Sequence, residues 1–115
     1  MNKLIKDCKK KYKMLQSQIS SLEDKIERSQ NILEQKSQEK QLAKLEETFD
    51  LFVREEYARI VFENYVLKNP QIVDMYTGKV RHFADVYGAN FEEMPNGFKE
   101  GLVGLIEGYG AYRFA

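Results

Sequence analysis

The chain has 115 residues and a mass of 13.5 kDa, enough for one ordinary domain and too little for two independently packed ones. Charged residues make up 31% and apolar residues 43%, with 18 basic side chains against 18 acidic ones, which excludes a disordered or fibrous composition and points to a helical protein. The zero net charge conceals a polarity: residues 1 to 13 hold six lysines and one aspartate, and of fourteen Phe and Tyr residues only Tyr12 precedes Phe49. The two unlike halves set the expected organisation, a basic heptad-patterned segment over 1–48 and an aromatic-rich helical domain over 49–115.

Along the first half, Ile5, Cys8, Tyr12, Leu15, Ile19, Leu22 and Ile26 recur in alternating steps of three and four, continuing through Ser29 to Leu33. That is an a/d heptad repeat, and with no Gly or Pro before residue 70 it predicts a helix that buries a narrow seam against a partner. Residues 34 to 41 carry no apolar side chain, and the stripe resumes at Leu42, Leu45, Phe49 and Phe52 facing the opposite way, because nine steps of ~100° make two and a half turns. A continuous helix over about residues 3 to 68 accommodates the switch, as does an antiparallel hairpin turning near Ser37. The continuous helix is favoured, since Gly, Pro, Asn and Asp are missing from that turn. The seam then implies a homodimer or higher oligomer, or another protein as partner.

The cluster Lys3, Lys6, Lys9, Lys10, Lys11 and Lys13 suits a phosphate backbone or an acidic protein surface. A solvated helix face accounts for it more simply, and no Arg lies among these lysines to read base edges with a forked pair of hydrogen bonds.

In the second half, helical patterning runs to Lys68-Asn69-Pro70, where proline disfavours continuation. Ile72, Tyr76, Val80, Phe83 and Tyr87 share one helical face, which predicts a third helix ending at Gly88. After a loop over 89–96, a last helix spans about Gly97 to Tyr109. Its glycines Gly97, Gly101, Gly104 and Gly108 fall within one sector of about 60°, a stripe without side chains that suits close approach of another helix or a partner. Tyr109, Tyr112 and Phe114 gather near the C-terminus either as core or as an aromatic anchor. The expected fold class is therefore all-α: a long N-terminal coiled-coil helix, or a helical hairpin, followed by a small helical domain.

No catalytic set emerges. With one Cys and one His, the common zinc sites cannot form within one chain, and no phosphate-binding glycine loop is present. His82 precedes Asp85 by one turn, a spacing that an ordinary surface histidine explains. Adjacent Glu pairs diverge by ~100° on a helix, which does not suit a shared site. The lone Cys8 sits on the seam beside lysines, where a small core residue is the simplest role. No apolar run reaches the ~20 residues that cross a bilayer. The expectation is a cytoplasmic, non-enzymatic protein with no cofactor and no metal that works through protein–protein contact as regulator, adaptor or inhibitor. A nucleic-acid-binding regulator and a small-molecule sensor with an aromatic pocket are the alternatives.

Overall fold

The computed structural model describes residues 3–115. The first helix, Lys3–Arg28, is followed by only three residues, Ser29, Gln30 and Asn31, before the chain reverses into a second helical arm. The favoured continuous helix is thus replaced by a helical hairpin, whose turn is centred on Gln30 rather than near Ser37. Local chemistry explains the site. Asn31 Oδ1 accepts hydrogen bonds from the backbone N–H groups of Leu33 (2.9 Å) and Glu34 (3.2 Å), capping the new helix. Gln35 Nε2 donates to the Ser29 carbonyl at 2.7 Å, occupying an acceptor just past the end of the first helix.

The second arm begins as Ile32–Leu51 and runs to Val66 without a break, through π-helical turns at Phe52–Tyr57 and Phe62–Val66 that flank Ala58–Val61. The wide turns have a packing consequence. Val53, Tyr57 and Val61 repeat every four residues and Val66 follows after five, a pattern that an α-helix at ~100° per residue would swing by about 40° per four-residue step. Under-rotated turns keep all four side chains on the core side, and all four are buried.

Residues 71–82 do not form the expected third helix. They make a β-hairpin of β1 (Gln71–Asp74) and β2 (Val80–His82), and β1 also pairs antiparallel with β3 (Tyr112–Phe114), in the order β2-β1-β3. The apparent helical spacing was coincidental; β-branched Ile72, Val73 and Val80 and the turn between them decide the outcome. Asp74 Oδ1 accepts from the N–H groups of Tyr76 (2.8 Å) and Thr77 (3.2 Å), and Gly78 adopts a φ of 72°, which a β-branched or bulky side chain would resist. These two bonds hold the Asp74 carboxyl below its ordinary range. The fold is therefore mostly helical rather than all-α, and the register Ile72↔Phe114 directs both side chains to one face of the sheet.

A short helix, Phe83–Tyr87, and the last helix, Asn96–Glu107, complete the layer beneath the second arm. One hydrophobic core joins the two halves of the sequence: Ile5, Cys8, Tyr12 and Leu15 from the first helix meet Phe52, Tyr57, Val61, Ile72, Phe83, Leu102 and Val103. Beyond Leu15 only two helices remain in contact, so Ile19, Leu22 and Ile26 are half-buried. Leu33, expected on the seam, lies past the turn and is 79% exposed. The remaining seam residues pack against the chain's own second arm, as in the 5.1 Å contact of the Tyr12 and Phe49 rings. The partner that the heptad stripe requires is thus supplied within the molecule, and no intermolecular coiled coil is needed to bury it.

Candidate interaction surfaces

The predicted lysine cluster divides into unlike members. Lys11 is tied down: its ammonium lies 3.2 Å from Glu56 and 4.8 Å from the centre of the Phe52 ring. Lys9 is half-buried, while Lys3, Lys6, Lys10 and Lys13 are exposed. Among the described residues none of these four forms an ion pair.

Cys8 is buried on the seam, and loss of hydration pushes its thiol up to about 11; nearby Glu56 adds to the rise, and Lys11 opposes it without prevailing. This is the opposite of an activated cysteine. Tyr57 is fully buried and donates to Glu107 at 2.9 Å, so burial first and that hydrogen bond second hold its phenol un-ionised far above the ordinary value of 10.0. Both groups are neutral in the fold and ionise more readily when the chain unfolds. Their contribution is complete below pH 9 and is withdrawn as the unfolded chain ionises, from about pH 9 for the thiol and about pH 10 for the phenol. The melting temperature is expected to hold between pH 7 and about 8.5 and to fall steadily towards pH 11, as followed by circular dichroism. A melting temperature unchanged at pH 11 would refute this.

His82 does not engage Asp85. Its Nδ1 accepts from the Ala84 N–H at 3.3 Å and caps the short helix Phe83–Tyr87. Among the described residues no three His, Cys, Asp or Glu side chains converge as metal ligands, and no helix is long and apolar enough to cross a membrane.

The four glycines of the stripe have four different surroundings. Gly97 has open space around it, Gly101 faces the Tyr87 ring, Gly104 receives the chain's own return past Gly110, and Gly108 ends the helix with φ 87°. A Cβ on Gly104 would meet Tyr109 at 3.0 Å and the Gly110 backbone N at 3.2 Å, whereas one on Gly97 would meet nothing within 4 Å. Gly97→Ala is therefore expected to stabilise by about 0.5–1 kcal/mol through helix propensity. Gly104→Ala is expected to lose about 1 kcal/mol or more despite the same propensity gain, because the backbone of 110 must move. Urea unfolding of the two variants checks the opposite signs.

The C-terminal aromatics are mostly committed inward. Phe114 stacks on Tyr65 at 5.1 Å and Tyr112 meets Tyr87 edge-on at 5.9 Å. Tyr109 keeps 55% exposure, yet its hydroxyl donates to the Glu100 carbonyl at 2.8 Å. Tyr112 and Phe114 are thus held by ring contacts within the chain, whereas the Tyr109 ring is tethered at its hydroxyl and otherwise open to solvent. An apolar hollow of about 260 Å³ between Phe62, Val66, Pro70 and Phe83 falls below the ~300–1,000 Å³ usual for ligand pockets.

Two exposed features are not marked by the sequence pattern. At the hairpin tip, consecutive Ile32 and Leu33 are 68% and 79% exposed. Along one side of the hairpin an open groove of about 780 Å³ is bordered by Lys13, Gln16, Ser17, Ile19, Ser20 and Phe49. No family model, curated protein or solved structure matches this chain.

Proposed function

We propose that this protein acts by binding another protein, without catalysing a reaction, and that the hairpin tip is the contact. The carrying observation is the pair Ile32 and Leu33, exposed side by side in the first turn of the second arm while the other large apolar residues of that arm up to Phe49 turn towards the seam. Burying an aliphatic side chain of this size contributes about 1.5–3 kcal/mol, so two together at a projecting tip suit an apolar hollow on a partner. The chemistry of the remaining side chains agrees: the thiol is buried and un-ionised, and the imidazole Nδ1 is engaged by backbone. The partner in this reading is a different protein, because the seam expected to join identical chains is closed by the second arm.

The test is a photo-crosslinking residue placed at Leu33 in the full chain, expressed in its native cell. One discrete adduct is expected, suppressed when Ile32 is changed to Ser, with the melting temperature unaltered. No adduct at 33, or equal crosslinking at the exposed but polar position Lys36, would contradict the reading.

A further inference from the structure

We infer that the solvent face of the first helix, together with the groove beside it, binds single-stranded nucleic acid. Lys3, Lys6, Lys10 and Lys13 follow one another in steps of three, four and three, which at ~100° per residue places them within a sector of about 80° opposite the buried seam and along about 15 Å of helix. Ser17, Ser20 and Ser21 continue the same face. Asp7 stands at its edge, and the next carboxylates on this helix are Glu23 and Asp24 near the turn. A row of four like-charged ammonium groups, without an ion pair among the described residues, repels itself, and a polyanion relieves that repulsion while releasing its own counterions.

The groove favours a single strand over other polyanions. Lys13 ends the row where the groove begins, and Gln16, Ser17 and Ser20 border it as hydrogen-bonding groups with the half-buried ring of Phe49. Cations that follow a backbone beside an aromatic surface are the recurring solution for single strands, because unpaired bases stack on the ring. Lysine without arginine supplies point charges rather than forked base recognition, so binding is expected to be largely independent of base sequence. A lipid surface is a poorer match, because the apolar face of this helix is consumed by the core.

The test is fluorescence anisotropy of a labelled 20-nucleotide single strand titrated with the full-length protein at several salt concentrations. Matched titrations use a duplex of the same length, anionic phospholipid vesicles and poly-glutamate. With four phosphates neutralised, log affinity should fall against log salt with a slope near −3, a loss of about 50-fold between 50 and 200 mM. The quadruple change of Lys3, Lys6, Lys10 and Lys13 to Gln should remove most of that affinity and flatten the slope, and changing Lys36, Lys40 and Lys44 to Gln should leave both near wild-type. Phe49→Leu should weaken single-strand binding by about 5-fold or more without changing the slope. Circular dichroism confirms that each variant folds; should the quadruple variant fail, the pair Lys10→Gln and Lys13→Gln should halve the slope. No binding at 20 mM salt, equal binding by the quadruple variant, or equal or tighter binding of the duplex, the vesicles or poly-glutamate would overturn the inference.

Discussion

Shortening the apolar seam of the first helix is expected to cost stability in a gradient from base to tip. Ile5 is fully buried, so Ile5→Ala should destabilise by about 3–4 kcal/mol, combining lost transfer energy with the cavity left behind. Ile26, half-buried where only two helices touch, should cost about 1 kcal/mol on the same change, and Leu33, 79% exposed, close to nothing. Urea unfolding at two protein concentrations a hundredfold apart gives the measurement. The midpoints should follow the gradient and should not depend on concentration, because the seam is closed inside one chain. A coiled-coil dimer would give comparable losses at Ile5 and Ile26 and a midpoint that rises with concentration. Since a domain of this size has only about 5–15 kcal/mol of stability, the Ile5 change alone removes a large share of it.

Phe91→Ala should be as damaging for a different reason. The residue is 5% exposed and its ring is met by two cations, the Arg59 guanidinium 4.6 Å and the Lys99 ammonium 4.8 Å from its centre. Each cation has its own anion: Arg59 meets Glu92 at 2.6 Å and Lys99 meets Glu55 at 3.7 Å. Lys99 is itself buried, at 7% exposure, so the ring covers a charge that would otherwise face a void. Truncation to Ala should cost about 4 kcal/mol, of which the cavity accounts for most. Phe91→Leu separates the contributions, keeping much of the apolar volume while removing the ring's negative face; a loss of about 1–2 kcal/mol is expected from two cation–π contacts. If Leu proved neutral, the cations would be incidental to the packing of the 89–96 loop.

The parts of this fold that were legible in the sequence are those governed by a sustained local period. Seven of the eight expected seam positions, Ile5 to Ile26, do point into the hairpin or the core, because a heptad repeat depends only on helix geometry. The turn was hidden because Ser29 and Leu33 continue the same spacing across it by chance. A local signal existed, however: Asn31-Ile32-Leu33-Glu34 has the spacing of a capping box, with Asn accepting from the N–H of the residue three ahead. Likewise Ile72, Tyr76 and Val80 satisfied a helical period, while Asp74 and Gly78 carried the turn that divides them into two strands. Strand pairing with Tyr112–Phe114 joins segments some forty residues apart, and no local pattern encodes it. The glycine row suggests close approach along one face, yet only two of its members are approached, Gly101 by the Tyr87 ring and Gly104 by the chain's own C-terminal return, while Gly97 and Gly108 have open space. In the sequence the lysines form one cluster; only the packed structure shows that Phe52 and Glu56 hold Lys11 while four others face solvent.

Both proposals rest on the hairpin, since a continuous helix would place neither Leu33 at a tip nor Phe49 beside Lys13. Small-angle X-ray scattering over a dilution series tests it most directly. The folded chain has a radius of gyration of 17.0 Å and extents of 53 × 26 × 26 Å, so a monomer with a longest dimension of about 55–60 Å and a radius near 17 Å is expected at every concentration. A helix running unbroken from residue 3 to 66 would be about 95 Å long at ~1.5 Å per residue. A longest dimension approaching that length, or a radius that grows on concentration as chains pair along the seam, would contradict the account.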